Sequence, residues 1–284
     1  MNCYRQENLF FPHGILDNII DMVYILTMES SKSRHIHIQN QLSKFPLCQH
    51  IKIIYNKGFT KCSKKICYMT TCKLIQTSYQ DITHVNEYIY QDILKNKYNN
   101  ILVLEDDFII SPQITNKDVI SDLEDIVKYY KEEKLLLRLG CLPIVSYNMT
   151  GSSQYGNLVL GLGAHALLYN RNSVNEIVRK VRKSEDFDVN LNISFIGNQL
   201  YYKKKSLISQ LFPVTENRRN WGKSYGYVIE KYFQFLMFRC ISLLKLDKTL
   251  EPGYTVMYKY HNYLFSILFI FHVYLLFIII KKIF

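Results

Sequence analysis

The chain has 284 residues and a formal net charge of +11, enough length for one medium domain with a core of its own plus an appendage. The basic excess is scattered as single lysines and short runs, densest at Lys203-Lys204-Lys205. It suits anionic partners such as nucleotide phosphates or a membrane surface; with no helix-turn-helix, zinc-finger or related signature, nucleic acid is not an expected partner.

Seven cysteines, an odd number in a chain this long, exclude a secreted disulfide lattice. Cys62, Cys67 and Cys72 follow one another at spacings of five. They lack the close C-x₂-C pairs of a zinc site, so buried free thiols are expected.

Residues 1–20 read as a loosely specified lead-in, with a turn at Phe10-Phe11-Pro12-His13-Gly14. Met22 to Met28 predicts a first strand, Ser30 to Phe45 a polar helix stopped by Pro46, and Ile51 to Tyr55 a second strand ended by Asn56-Lys57-Gly58. Thr70 to Lys97 predicts a long helix, with Val85, Tyr88, Ile89, Ile93 and Leu94 close to one face. A third strand begins at Ile101. Beyond it come an amphipathic helix over Asp118 to Tyr130, a strand at Leu135 to Leu139 and a Gly-rich apolar stretch from Leu158 to Tyr169. Last is a helix capped by Ser173 and running through Lys183. Strands alternating with helices predict an α/β domain with a mainly parallel central sheet.

The third strand carries the strongest chemical signal. Ile101-Leu102-Val103-Leu104 is followed by Glu105-Asp106-Asp107 and then Phe108-Ile109-Ile110. An apolar run of this kind reads as a buried strand, and charges are rarely buried unless paired or metal-bound. The acids are therefore placed at the strand's carboxyl end, where open α/β sheets bind ligands. Alternation puts Glu105 and Asp107 on one face. Two hard oxygen ligands there suit Mn²⁺ or Mg²⁺ shared with phosphate oxygens; a solvated acidic turn is the plainer alternative.

Tyr263 to Ile280 contains no charge and is dominated by Leu, Ile and Phe, with Lys281-Lys282 at its end. This predicts a transmembrane helix over 263–280, preceded by an amphipathic juxtamembrane segment over 231–262, in which Tyr232 to Leu246 either lies on the bilayer or closes the domain's core. No amino-terminal secretory signal is visible, because Asp17, Asn18 and Asp21 interrupt the first apolar stretch. The expectation is a single-pass carboxyl-terminal anchor in an endoplasmic reticulum, Golgi or viral membrane. Lys281-Lys282-Ile283-Phe284 resembles a dilysine retrieval signal, and Asn148-Met149-Thr150 and Asn192-Ile193-Ser194 would be glycosylation acceptors in a lumen.

Several pieces, in order, resemble the family 25 glycosyltransferases, the lipopolysaccharide and collagen galactosyltransferases and their relatives in large DNA viruses. They are Val23-Tyr24-Ile25-Leu26-Thr27 with Ser33-Arg34, then Thr83-His84, then Glu105-Asp106-Asp107. Gly161-Leu162-Gly163-Ala164-His165-Ala166-Leu167-Leu168-Tyr169 and Asp186-Phe187-Asp188 complete the series. The likeness covers roughly residues 21–215. It departs from the family at Thr27-Met28-Glu29, where asparagine-leucine-aspartate is usual, and at Thr83, which stands for serine.

The resemblance implies a GT-A-like nucleotide-binding domain, here residues 21–230. It implies transfer of a hexose from a nucleotide sugar, a UDP-sugar first, to a glycan, protein or lipid acceptor, with inversion. Asp107 and Glu105 would hold the divalent ion. Arg34, Thr27, His84 and Asp106 would contact the nucleotide sugar. Asp188 or Asp186 would take the acceptor's proton. His165 is a candidate for lining the acceptor groove, and Arg218-Arg219 with Trp221-Gly222 for a lid over the phosphates. Two other readings stand beside this one. A P-loop phosphohydrolase lacks its G-x-x-x-x-G-K-[ST] motif, and a tail-anchored scaffolding protein would keep the fold without the chemistry.

Overall fold

A computed structural model describes residues 3–68, 71–149, 152–179, 186–195, 198–204, 206–211, 227–246, 248–249 and 251–283. The strands are β1 (Tyr4–Phe10), β2 (Met22–Met28), β3 (His50–Asn56), β4 (Lys65–Tyr68), β5 (Thr71–Leu74), β6 (Asn100–Glu105), β7 (Phe108–Ile110), β8 (Leu136–Asn148), β9 (Tyr155–Asn170), β10 (Gln199–Tyr202) and β11 (Ile208–Gln210). The helices are α1 (Lys32–Lys44), α2 (Ser78–Asn96), α3 (Lys117–Tyr129), α4 (Arg171–Arg179), α5 (Phe187–Ser194), α6 (Tyr227–Leu243) and α7 (Gly253–Ile283).

Seven strands form one sheet in the order β1-β3-β2-β6-β9-β10-β8, and β8 also pairs with β9. The expected mainly parallel sheet is corrected to a mixed one. Parallel pairing joins β3, β2 and β6, and also β10 with β8. Every other pairing in the sheet is antiparallel. The physical reason is chain economy: β8 and β9 follow each other through a short loop, which only an antiparallel pair permits.

Each face of the sheet buries its own cluster. Leu102 and Leu104 pack on one side with Ile38 and Leu42 of α1 and Leu123 of α3. Ile101 and Val103 pack on the other with Val85, Ile89 and Ile93 of α2 and Leu191 of α5. Burial on both faces explains why β6 is apolar at consecutive positions rather than alternating. A fully buried Leu or Ile contributes roughly 1.5–3 kcal/mol, so this two-sided core dominates stability.

The lead-in is not loose: residues 4–10 form β1, which pairs antiparallel with β3 along its whole length. The long second helix begins only at Ser78, where Thr77 accepts from the Gln80 N–H at 3.4 Å. The residues before it form the β4–β5 hairpin, closed by a Cys67–Cys72 disulfide. A second disulfide, Cys3–Cys62, ties the amino terminus to the loop after β3. The expectation of free thiols therefore fails for Cys62, Cys67 and Cys72, while Cys48 and Cys141 are buried and free. Ser173 lies inside α4 rather than capping it, and Asn170 accepts from its N–H at 3.0 Å.

The carboxyl-terminal membrane anchor is also corrected. Among the described residues, no helix is both long and apolar enough to cross a membrane. The segment is the second half of α7, which begins ten residues earlier and carries polar groups that seat it on β8. Tyr254 donates to the Cys141 carbonyl, Asn262 donates to the Ser146 carbonyl, and His261 meets the Ser146 hydroxyl. Ser266, His272 and Tyr274 dilute the apolar run itself, and a single-pass anchor is not supported.

Candidate functional site

The carboxyl ends of β3, β2 and β6 open onto a cleft of about 270 Å³. The connection from β2 runs through α1 to β3 on one side, and the chain then returns through α2 to β6 on the other. The β2–β6 boundary is thus a topological switch point, where open sheets of this kind place ligands. Leu26, Thr27 and Met28 from β2, Arg34 from α1, and Glu105, Asp106 and Asp107 after β6 line one part. Asn56, Gly58, Phe59 and Thr60 after β3, with Ser78, Asp81, Ile82 and Val85 of α2, line the rest.

The far wall is held by a buried polar cluster. Asp81 accepts from the Asn56 side chain and the Phe59 N–H, both at 3.1 Å, and is ion-paired with Lys64. Gly58 takes a left-handed conformation (φ +80°), open to glycine at no steric cost, and its N–H donates to Asn56 Oδ1 at 2.9 Å. The loop presents Phe59 and Thr60 to the cleft for these reasons.

The acids do not all do the same thing. Strand alternation sends Glu105 to the α5 side of the sheet and Asp106 to the α1 side. Asp106 accepts from the Thr27 hydroxyl at 2.7 Å and lies 3.9 Å from Arg34 Nε. Asp107 follows in the turn between β6 and β7, where it is the charge that acts most on Glu105. Its Oδ2 accepts from Gln210 Nε2 at 2.8 Å, and its carbonyl accepts from the Leu211 N–H. Its Oδ1 is buried with no hydrogen-bond partner.

Crowding and burial shift these groups upward. Glu105 is pushed well above the ordinary carboxylate range, first by burial, then by the charges of Asp107, Asp188 and Asp106. Asp107 is pushed up to about 6, by burial first, against the Gln210 hydrogen bond.

Asp188 is not among the residues lining the cleft, but its charge acts on Glu105. It lies in the first turn of α5, with Oδ2 accepting from the Gly163 N–H at 3.1 Å and Oδ1 lying 3.7 Å from Arg138 Nη1. Burial raises its pKa to about 6, opposed by Arg138. Asp186 is the helix N-cap instead, accepting from the Val189 N–H at 3.2 Å, which is a structural role.

His84 lies outside the cleft lining. It sits on another face of α2, where its Nδ1 meets the Tyr4 hydroxyl at 2.6 Å. His165 is fully buried, contacts the Ile208 carbonyl at 3.2 Å and is lowered to about 4 by burial, so it is a neutral core histidine. Arg218, Arg219, Trp221 and Gly222 lie outside the described residues. Asn192 is buried and bonded to both backbone groups of Gly161, which removes it as a glycosylation acceptor.

Sequence reasoning passed over Gln210 and Arg138, and gave Gly163 no role of its own within the Gly161 to Tyr169 stretch. For Arg138 a signal existed: it is a charge inside the apolar run Leu135 to Leu139, as conspicuous as the acids after Leu104.

Among the described residues, no group of three or more His, Cys, Asp or Glu side chains is gathered closely enough to hold a metal ion. The donor set still fits one kind of ion. Mg²⁺ and Mn²⁺ are commonly bound by one or two carboxylates together with substrate phosphates, and the unpartnered Asp107 Oδ1 is an oxygen of the required type. No protein-family model matches the chain, and no curated protein matches it at a significant level.

Proposed function

We propose that this chain is a metal-dependent glycosyltransferase that moves a hexose from a nucleotide sugar, a UDP-sugar first, to a hydroxyl of a glycan, protein or lipid acceptor, with inversion. The observation that carries the reading is the acid-lined cleft at the switch point, with the Asp107 oxygen buried and unpartnered at its edge. Lone buried carboxylate oxygens are costly and call for a cation.

Asp107 and Glu105 are the residues that would hold Mn²⁺ or Mg²⁺, which supplies positive charge to a departing diphosphate. Their raised proton affinity comes from burial first and from neighbouring negative charge second, and a bound cation would offset both. Arg34 and Thr27 fix Asp106 beside them, so that side chain keeps one orientation as the ligand enters. Met28, Phe59, Ile82 and Val85 give the cleft an apolar part suited to a flat ring. Asp188 takes the proton of the acceptor hydroxyl as the new O–C1 bond forms and the C1–O bond to phosphate breaks. A base lifted to about 6 remains mostly ionised at neutral pH while accepting a proton better than an ordinary carboxylate.

The test is a thermal-shift panel on the full chain with UDP, GDP and their sugars, each with and without Mn²⁺. A ligand bound only by the native state at a hundred times its Kd adds about 2.7 kcal/mol of stability. Stabilisation by a nucleotide sugar that requires Mn²⁺ is the expected result. No shift with any member of the panel would leave a non-catalytic scaffold as the better description.

A further inference from the structure

One cation stands where cations are rarely found. Arg138 on β8 is wholly buried, and an unpaired charge in such a place costs several kcal/mol. Its Nε donates to Gln199 Oε1 at 2.9 Å, and its Nη1 donates to the Gly163 carbonyl at 3.1 Å. The same Nη1 lies 3.7 Å from Asp188 Oδ1. Gly163 also reaches Asp188 with its other backbone group, the N–H, at 3.1 Å from Oδ2. It serves both neighbours at once from a left-handed conformation of φ +80°, and a Cβ there would meet His165 Nδ1 at 2.9 Å. Glycine is required at this position on both counts.

The contact is not that of an ion pair built for stability. An arginine and a carboxylate that meet for that purpose do so fork to fork, with two short hydrogen bonds. Here the guanidinium stands back. Arg138 Nη2 and Asp188 Oδ1 are both buried and both without a hydrogen-bond partner. The charges facing Asp188 from neighbouring elements are otherwise negative: Asp186 ahead of α5 and Glu105 on β6. Arg138 is the cation that opposes them, and it leaves Asp188 Oδ1 buried but without a hydrogen bond.

We propose that Arg138 is a positioning residue. Directly and through Gly163, it holds Asp188 as an ionised carboxylate with Oδ1 free to accept a proton. This rests on Asp188 being the base of the proposed transfer. It adds that the base is set from beneath by a cation that touches neither donor nor acceptor.

The experiment uses the full chain with R138M, R138K, D188N and the double variant R138M/D188N. Urea unfolding comes first and needs no substrate. R138M is expected to lower the midpoint, and the double variant to recover most of that loss relative to D188N, because Asn needs no counter-charge. If R138M does not fold, a folded double variant carries the same result. Losses that simply add would overturn the proposal even in a chain that turns over no sugar.

Release of UDP or GDP is then followed with UDP-galactose, UDP-glucose and GDP-mannose in the presence of Mn²⁺. In R138M, kcat is expected to fall about 100-fold, the size of effect a small misplacement of a reacting group produces. KM should stay nearly constant, and R138K should regain a substantial part of the rate. A rise in KM at unchanged kcat, or equal rates in R138K and R138M, would overturn the positioning role. A wild-type chain inactive with every donor would instead defeat the transferase reading, while the unfolding result still decides the link between Arg138 and Asp188.

Discussion

Asp107 is held in the folded chain against its own preference. Its pKa is raised from 3.8 to about 6, chiefly by burial, so the native state holds the proton more tightly than the unfolded chain does. An acid shifted in this direction favours the fold when protonated, and that contribution is lost as pH rises from about 4 through about 6. Asp188, also raised to about 6, acts in the same sense over the same window. The substitution D107N removes the charge and keeps an oxygen able to accept from Gln210. We predict that it raises stability at pH 7 by about 1–2 kcal/mol, within the range of relieving a buried charge. It should also flatten the decline between pH 4 and 6 and abolish Mn²⁺-dependent ligand binding. Urea unfolding across that pH range, with the thermal-shift panel, checks all three. A less stable D107N at pH 7 would mean that the carboxylate is compensated within the protein and needs no cation.

Asn170, at the end of β9, joins several elements through one side chain. Its Oδ1 accepts from the Leu135 N–H at 3.1 Å and the Ser173 N–H at 3.0 Å, and its Nδ2 donates to the carbonyls of Tyr130 and Glu133. It closes the sheet against the start of α4 and the turn after α3. N170A leaves the buried N–H groups of Leu135 and Ser173 without a partner, at roughly 1–3 kcal/mol each before relaxation. We expect a net loss of about 3 kcal/mol or more in urea unfolding, and a loss below 1 kcal/mol would show that water replaces the side chain. The elements differ in how far the sequence discloses them. The trio β3, β2 and β6 is legible because each is a short apolar run bounded by turn residues, and the acids after β6 are legible because charge interrupts that run. The antiparallel β8 and β9 are not legible as partners. Burial on both faces and several register shifts erase the alternation that would pair them. Asp188 is recognisable as a candidate from its acidic neighbours. Its contact with Arg138 and Gly163 depends on β8, β9 and α5 meeting, which local pattern does not encode.

The two disulfides bind the chain's first residues and its cleft into one unit. Cys3–Cys62 spans 59 positions and Cys67–Cys72 spans five. By the loop-entropy argument the first contributes about 4 kcal/mol and the second about 2 kcal/mol. We predict that C3S/C62S lowers the urea-unfolding free energy by up to about 4 kcal/mol. It should also weaken nucleotide binding, because Gly58, Phe59 and Thr60 lie just before Cys62 and line the cleft. A binding constant unchanged in that variant would show that the Asp81, Asn56 and Lys64 cluster holds the loop unaided.

The clasp at Cys3 also secures β1, and β1 has a further consequence. On one face it carries Arg5, which lies over the Tyr55 ring of β3, and Glu7, which accepts from the Tyr55 hydroxyl. One flank pairs along the whole length of β3, whose remaining backbone groups pair with β2. Strip that strand away and β3 becomes an uncapped row of amide donors and acceptors backed by Ile51, Ile53 and Ile54, the kind of template on which neighbouring molecules stack into fibres. The polar residues that make the first ten positions look dispensable are the insulation that keeps one copy of this protein from zipping onto the next.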